Sequence, residues 1–532
     1  MSISFSRASS LWRDTAPKLS STASDIILED ERYYARRVHF AVPEPTIARA
    51  DADDGALLPG GPIALTTRPF LGLVLQTIGL SIVLGGLERL GPTVYTRHLG
   101  LELGTYSSCV HLGWSCRIFF GIVSDCFPLG RTRRKAYMLL GWTVSGVACL
   151  TMAIVPFPAP STSPPPLFLG MTLLAGLACV LVTVALDAVM VHYAQREPVE
   201  VRGRTQAMLF CSRMAGDVVP SLFCGLALQD QAIGGAYSFG VSPNVTYALL
   251  TWISGVCLVA AVCLVVEPAY PAAVTLPGYV RSAWRLPQRH VMTHLCVFRL
   301  AIDASFYFGA ASSLPRVTDM PSLAVTTVVT SCGVLFAAGA LWFWATHCLR
   351  CNWRAAVALH TLVAVALDVS TTLLVVYDVA GAGYVRLVGD ALTHVPCALR
   401  AIAIAASAVE LADFGNEALV MSVLTTWADM GVDAATLVSR LLIHEASASA
   451  RRFYMLSAYL PAVAVRIAGL ATLGLVPSQK HDVQVLKQHG RSSRTAGVLH
   501  VLLLVLLGTM FFVLHGMPLF GATGVPPVRP AA

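Results

Sequence analysis

The sequence predicts an all-α, polytopic membrane protein made of two six-helix bundles, with one further apolar run that leaves room for an extra C-terminal transmembrane helix. Three observations carry this reading. The chain of 532 residues is 55% hydrophobic and only 13% charged, with a mean hydropathy of +0.67, more apolar surface than a soluble fold of this length needs. Its apolar residues gather in runs of the roughly 20 residues that a spanning helix requires. Its bases gather in short segments between those runs, where they set membrane orientation and do not signal nucleic-acid binding.

Taken in order, the predicted spans fall near 69–89, 106–124, 136–155, 167–192, 206–228 and 247–266, then near 291–312, 323–346, 353–376, 384–409, 418–442 and 453–476, with a last run near 497–515. Residues 1–67 are rich in Ser, Arg, Asp and Pro and read as a disordered cytosolic tail without a cleavable signal. The N-terminal bundle occupies 68–266. The linker, 267–290, holds Pro268, Pro271, Pro277 and Pro287 with Arg281, Arg285 and Arg289, and the C-terminal bundle occupies 291–476. Residues 477–532 hold a basic segment, the extra apolar helix and a tail. Six helices, a linker and six helices is the layout of two-bundle secondary transporters.

Loop charge supports the same count. The second–third loop carries RTRRK, the fourth–fifth holds Arg196, Arg202 and Arg204, and the linker is basic, whereas 156–166 has no charge. That pattern puts the N-terminus in the cytosol and, with thirteen spans, the C-terminus outside. Two loops run against it: 410–417 is acidic on the predicted inside, and Arg451 and Arg452 lie on the predicted outside. Asn244-Val245-Thr246 is a glycosylation sequon in a predicted outer loop beside the sixth span.

The densest chemistry lies in GWSCRIFFGIVSDCFPLGRTRR, residues 113–134. Asp125 ends one span and faces Arg131, Arg133, Arg134 and Lys135 at the start of the next, while Gly121 lets another helix come close. Such a charged turn can latch helices together and release them, as a gate does. Within the spans, Arg213 and Asp217 lie four apart on one face, as do Arg299 and Asp303; each couple can neutralise itself on its own helix or serve a function, and for Arg213 the functional reading is favoured. Asp187, Asp368 and Asp390 read as isolated acids, suited to carrying a proton through an apolar bundle, with Arg466 as a partner across the bundle for one of them. No phosphate-binding GxxxxGK[ST] loop or HExxH pair marks an enzyme. Fourteen cysteines are scattered through apolar segments, and Cys348 and Cys351 lack the second pair that a zinc site needs. The chain implies no metal, no cofactor and no nucleic-acid partner.

Trp114-Ser-Cys-Arg117, FGIVSDCFPLG, Arg134 and Tyr137 together resemble the signature of the folate–biopterin transporters, a branch of the major facilitator superfamily. Leu186-Asp187-Ala188-Val189 is similar to that family's Asp-Ala segment. Glu197-Pro198, Arg202-Gly203, Gln206, Arg213 and Gly216 fit its approach to the fifth span, and Gly389-Asp390, Pro396 and Gly415-Asn416-Glu417-Ala418 its tenth and eleventh. The chain departs from the pattern at Arg117, where the family carries lysine, and at Thr183 and His192, where it carries acids. The resemblance implies a monomeric secondary transporter of the plasma membrane that carries folate or biopterin with protons. It implies a pocket in which Arg117 and Arg213 fork the cargo's carboxylate and Asp187 or Glu417 meets the ring, with Trp114 and Trp427 available to stack. S-adenosylmethionine is the alternative cargo, and a non-transporting receptor or scaffold the alternative role.

Overall fold

The computed structural model describes residues 55–129, 132–158, 165–231, 237–267, 276–309, 321–377, 379, 381–442 and 451–516. Arg131, residues 1–54 of the expected N-terminal tail and residues 517–532 lie outside this description. Among the described residues the chain is helical, with no sheet beyond isolated bridges.

The first bundle contains α1 (Arg68–Leu90), α2 (Leu103–Ser115), α3 (Arg117–Cys126), α4 (Arg134–Ile154), α5 (Pro166–Gln195), α6 (Arg204–Leu226) and α7 (Pro243–Leu264). A short amphipathic helix, α8 (Leu276–Arg285), follows. The second bundle contains α9 (His290–Tyr307), α10 (Leu323–Phe343), α11 (Trp353–Val376), α12 (Ala382–Leu411), α13 (Glu417–Leu442) and α14 (Arg451–Ala468). The chain then bends by 57° into α15 (Lys480–His489) and ends in α16 (Arg494–Gly516).

Nine helices among the described residues are long and apolar enough to cross a membrane, α16 included. The other four expected spans are helical too, and their shortfall has a physical cause. The second breaks at Cys116 into α2 and α3, where the sequence predicted one continuous helix. The seventh and eleventh, α9 and α13, carry Arg299, Asp303, Asp429 and Asp433 in their middles. The twelfth, α14, tightens into a 3₁₀ segment before its bend. Charges inside a span are costly and are retained where they face a bundle interior.

Helix starts follow local chemistry. Pro69, Pro166 and Pro243 sit in first turns, where their missing N–H is no loss. Asn352 accepts from the Arg354 and Ala355 amides to cap α11. Two helices are capped from a distance by glutamates. Glu267 accepts from the backbone N–H of Arg133, Arg134 and Lys135 at α4. Glu197 accepts from those of Gly203, Arg204 and Thr205 at α6. Each carboxylate faces the positive end of a helix dipole.

In the first bundle α1 packs against α6 and α7, and α4 against α5 and α7; in the second, α9 packs against α13, and α12 against α10 and α11. The bundles meet through α3 and α5 against α13, and through α6 against α10. Small residues make the close contacts: a methyl at Gly431 would come within 2.6 Å of the Leu300 carbonyl oxygen. Large apolar side chains such as Trp252, Val259, Phe336 and Leu502 are exposed on the outside, as lipid contact requires. Residues 55–67, expected within the tail, lie partly against the α5–α6 turn, where Leu57 and Leu58 donate to the Gln195 carbonyl.

Candidate functional site

The end of the molecule that bears the α3–α4 turn is crossed by three ionic clusters, two of them buried and the third part-exposed. In the first, Arg134 Nη2 lies 2.5 Å from Asp125 Oδ1 and 2.8 Å from Glu417 Oε2, and Nη1 donates to Ser124 Oγ at 3.1 Å. Asp125 Oδ2 also accepts from the Leu419 amide at 2.9 Å and the Tyr279 hydroxyl at 3.2 Å, while Arg133 donates to the Asp125 carbonyl. The sequence predicts a turn that latches α3 to α4. The structure adds the second bundle through Glu417 and Leu419, and the linker through Tyr279. Gly121 allows this approach, because a methyl there would come within 2.9 Å of Ser422 Oγ and 3.1 Å of the Ala418 carbonyl oxygen.

The second cluster joins Arg202 to Glu410 at 2.8 Å, with Gln484 of α15 donating to the same carboxylate at 2.7 Å. In the third, Asp413 receives Arg289 at 2.8 Å and Lys487 at 2.7 Å. Burial alone would raise the Asp413 pKa, but these two cations outweigh it and hold the carboxyl below its usual range. The acidic 410–417 loop that ran against the orientation rule is thereby explained: Glu410, Asp413 and Glu417 are each taken by a base from another segment.

A second charged system lies deeper. Arg117 is eight residues before Asp125, about 12 Å along the axis of a helix. Arg213 Nη2 lies 3.7 Å from Asp187 Oδ1, and Arg117 Nη1 lies 3.5 Å from Asp429 Oδ2. Arg117 is within electrostatic reach of Asp187 and Arg213 as well, and Asp429 of Arg299 and Asp303. Asp303 in turn is 3.2 Å from Arg299 and 3.0 Å from Arg400. Four arginines and three aspartates therefore form a chain from one bundle to the other. Its donors are incompletely used, since Arg117 Nε and Arg400 Nε and Nη1 are buried and make no hydrogen bond.

A cavity of about 320 Å³ adjoins this chain, lined by Glu88, His111, Trp114, Arg117, Asp429 and Asp433, with Val432, Phe511 and His515. The Arg117 guanidinium carbon lies 4.2 Å from the centre of the Trp114 ring, a cation–π contact. Glu88, Asp429 and Asp433 were not singled out from the sequence, although acids within apolar spans were the available signal.

Several expectations need correcting. Asp217 does not pair with Arg213 on its own helix; Arg89 of α1 takes it at 2.7 Å. Asp368 and Asp390 are not isolated. Arg386, four residues before Asp390, lies 3.0 Å from it and 2.9 Å from Asp368, and Arg466 lies 2.5 Å from Asp368. Of the four residues expected to form one pocket, only Arg117 lines the cavity; Asp187 and Arg213 belong to the adjoining charge chain, and Glu417 sits in the end cluster. Trp427 is buried and packs on His500 of α16, at 5.2 Å between ring centres. Asn244 donates to the carbonyls of Met152, Ala153 and Val155 and accepts from the Phe157 amide, so the nitrogen a glycan would need closes the end of α4.

Comparison with known proteins places these features. Residues 97–495 match the BT1 family. "Probable folate-biopterin transporter 4" of Arabidopsis thaliana is 27% identical over 120 residues, a match that covers 23% of this chain and about a quarter, 24%, of that relative. A D-xylose–proton symporter shares the fold with a TM-score of 0.55 at 13% identity, over 77% of this chain and 97% of its own. The human organic anion transporter MFSD10 (TETRAN) does so with a TM-score of 0.51 at 14% identity, over 76% and 98%. The match over most of the chain, the motifs from Trp114 to Tyr137 and the two-bundle fold agree: the chain belongs to the BT1 family and is a multi-pass membrane protein.

Proposed function

We propose that the chain is a proton-coupled secondary transporter of folate or pterins, working as a monomer in the plasma membrane with its basic end in the cytosol. The observation that carries this reading is the central charge chain beside the cavity. Its inter-bundle pair Arg117–Asp429 is long, at 3.5 Å, and Arg117 keeps an unused donor. A cargo carboxylate can take the place of Asp429 on Arg117 in a bidentate fork. Glu88 and Asp433, which also line the cavity, can accept from the amino and ring N–H groups of a pterin. Folate offers both ends in one molecule.

Alternating access follows from the two systems together. The end clusters hold the bundles shut on the cytosolic side while the cavity lies in the half beyond them. Asp187 is the proton site of this mechanism, because it faces Arg213 at 3.7 Å and a proton on it would free Arg213 for the cargo. Asp368 and Asp390 are held by Arg386 and Arg466 and serve as scaffold.

A second reading, a cationic cargo such as S-adenosylmethionine, draws on the three acids of the cavity wall. Uptake of labelled folate, biopterin and S-adenosylmethionine by a transporter-deficient host expressing the chain separates the two. Uptake of folate or biopterin that competes with unlabelled folate supports the first reading. Uptake of S-adenosylmethionine alone replaces it with the second.

A further inference from the structure

The helix beyond the twelve spans is not an outer anchor alone. α16 packs against α2 of the first bundle and against α9 and α13 of the second, so it lies along the seam between them. Its sides differ sharply. Leu499, Leu502, Val505 and Leu506 are more than half exposed, whereas His500 and Phe511 are buried. His500, Phe511 and His515 recur at the spacing of one helix face. Gly508 on the same side passes 3.4 Å from Met430 Cε of α13, measured from the position a methyl would take.

That face ends in the cavity. Phe511 and His515 both line it, with ring centres 4.4 Å apart. His515 Nδ1 lies 3.0 Å from the Phe511 carbonyl oxygen, which can only accept, so Nδ1 carries the hydrogen; Nε2 is left to accept when the ring is neutral and to donate when it is protonated. Opposite stands Asp433, whose Oδ2 is buried, makes no hydrogen bond and is 3.9 Å from His515. A buried acceptor without a donor is an expense that a fold avoids unless something supplies the donor. Arg117, which lines the same cavity, is also buried, with Nε unused.

We propose that α16 is a wall of the cargo cavity, and that Phe511 and His515 are specificity-determining residues that recognise a flat heteroaromatic ring bearing adjacent N–H donors and acceptors. Phe511 offers a face or edge to the ring, Asp433 accepts from its N–H groups, and Arg117 at the other end takes an anionic tail. The assignment of that ring to a pterin rests on the cargo reading above; the placement of α16 as a cavity wall does not.

The experiment therefore has two arms, both on the full-length chain. In the first, cysteine is placed at Phe511 or at the outward-facing neighbour Phe512, and labelling by a membrane-impermeant thiol reagent is compared with the parent protein. Labelling gained at 511 and not at 512 is expected. Labelling at neither position, or at both alike, overturns the cavity wall. In the second, Phe511→Leu and His515→Gln are compared with Phe512→Leu for uptake of folate and biopterin. The first two should raise KM about tenfold for both cargoes at retained Vmax and surface expression, and should weaken inhibition by free pterin more than inhibition by p-aminobenzoylglutamate. Phe512→Leu should match the parent. Loss of Vmax and expression together at unchanged KM would show a brace and overturn the specificity role. If the parent takes up neither cargo, the pterin assignment falls while the labelling arm still decides the wall.

Discussion

The end clusters and the central chain use the same residue types to opposite effect. At the end, Arg134 is 2.5 and 2.8 Å from two acids whose side chains are almost fully buried, and Asp125 collects further bonds from a backbone amide and a tyrosine. At the centre, the pairs that Arg117 and Arg213 make are 3.5 and 3.7 Å long, and the Asp429 and Arg213 side chains are 40% and 32% exposed. Short pairs between almost fully buried partners hold a state. Long pairs with unused donors can exchange partners. The first arrangement suits a latch and the second a binding site, although both read from the sequence simply as charges in or near a membrane.

The strongest way to break this contrast is to remove the hub of the end cluster. Arg134→Met leaves Asp125 and Glu417 facing each other in a buried setting, a change that costs about 3–5 kcal/mol in comparable cases. Thermal stability in detergent should fall clearly and uptake by more than about tenfold. Glu417→Gln keeps the volume and should be milder, with the cytosolic side opening more readily to thiol reagents. Unchanged stability in Arg134→Met would remove the distinction between the two regions.

At the centre the expected effect falls on cargo affinity and not on folding. Arg213→Lys trades a fork for a point charge and should raise KM for folate about tenfold, with biopterin, which has no carboxylate, little changed. Arg117→Lys brings in the residue the family usually carries and should be milder. Equal losses for both cargoes would make these arginines structural. Proton coupling sharpens the same comparison. Uptake should rise as external pH falls, and Asp187→Asn should flatten that response more than Asp368→Asn does. An unaltered pH profile in Asp187→Asn would move the proton site elsewhere.

The legibility of these two regions differed for a physical reason. Spans announce themselves by apolar length, so among the described residues every expected span is helical, although the second is broken at Cys116 and four, the second among them, are too short or too polar to qualify alone. The end cluster was half legible because Asp125 and Arg134 are close in sequence. Glu417 and Tyr279 were not, because their contact with Asp125 depends on how two bundles and a linker close in space. Spacing along one helix did not reveal the partners of Arg213 and Asp217, which are Asp187 at 3.7 Å and Arg89 at 2.7 Å on other helices. At Asp390 the signal was present and overlooked, since Arg386 stands four residues before it. The cavity acids Glu88, Asp429 and Asp433 come from α1 and α13, and no local pattern links them to Arg117. Their presence within spans was the only clue.

The smallest expected effect lies at a third place, the end of α4 away from the clusters, and tests whether a polar residue there is structural or a modification site. Asn244 stands in a sequon, yet its amide donates to three carbonyls, at 2.9, 3.2 and 2.6 Å, and its oxygen accepts from the Phe157 amide at 3.1 Å. Carbonyls at a helix end lack intrahelical partners, and a side chain that serves them joins two spans. A glycan on Nδ2 would replace one of its hydrogens and force the amide out of this position. Asn244→Ala should therefore lower stability by about 1 kcal/mol, leave KM for either cargo unchanged and produce no shift in electrophoretic mobility. A parent protein whose mobility changes on endoglycosidase treatment, with Asn244→Ala insensitive, would show that the amide is released from α4 in the cell.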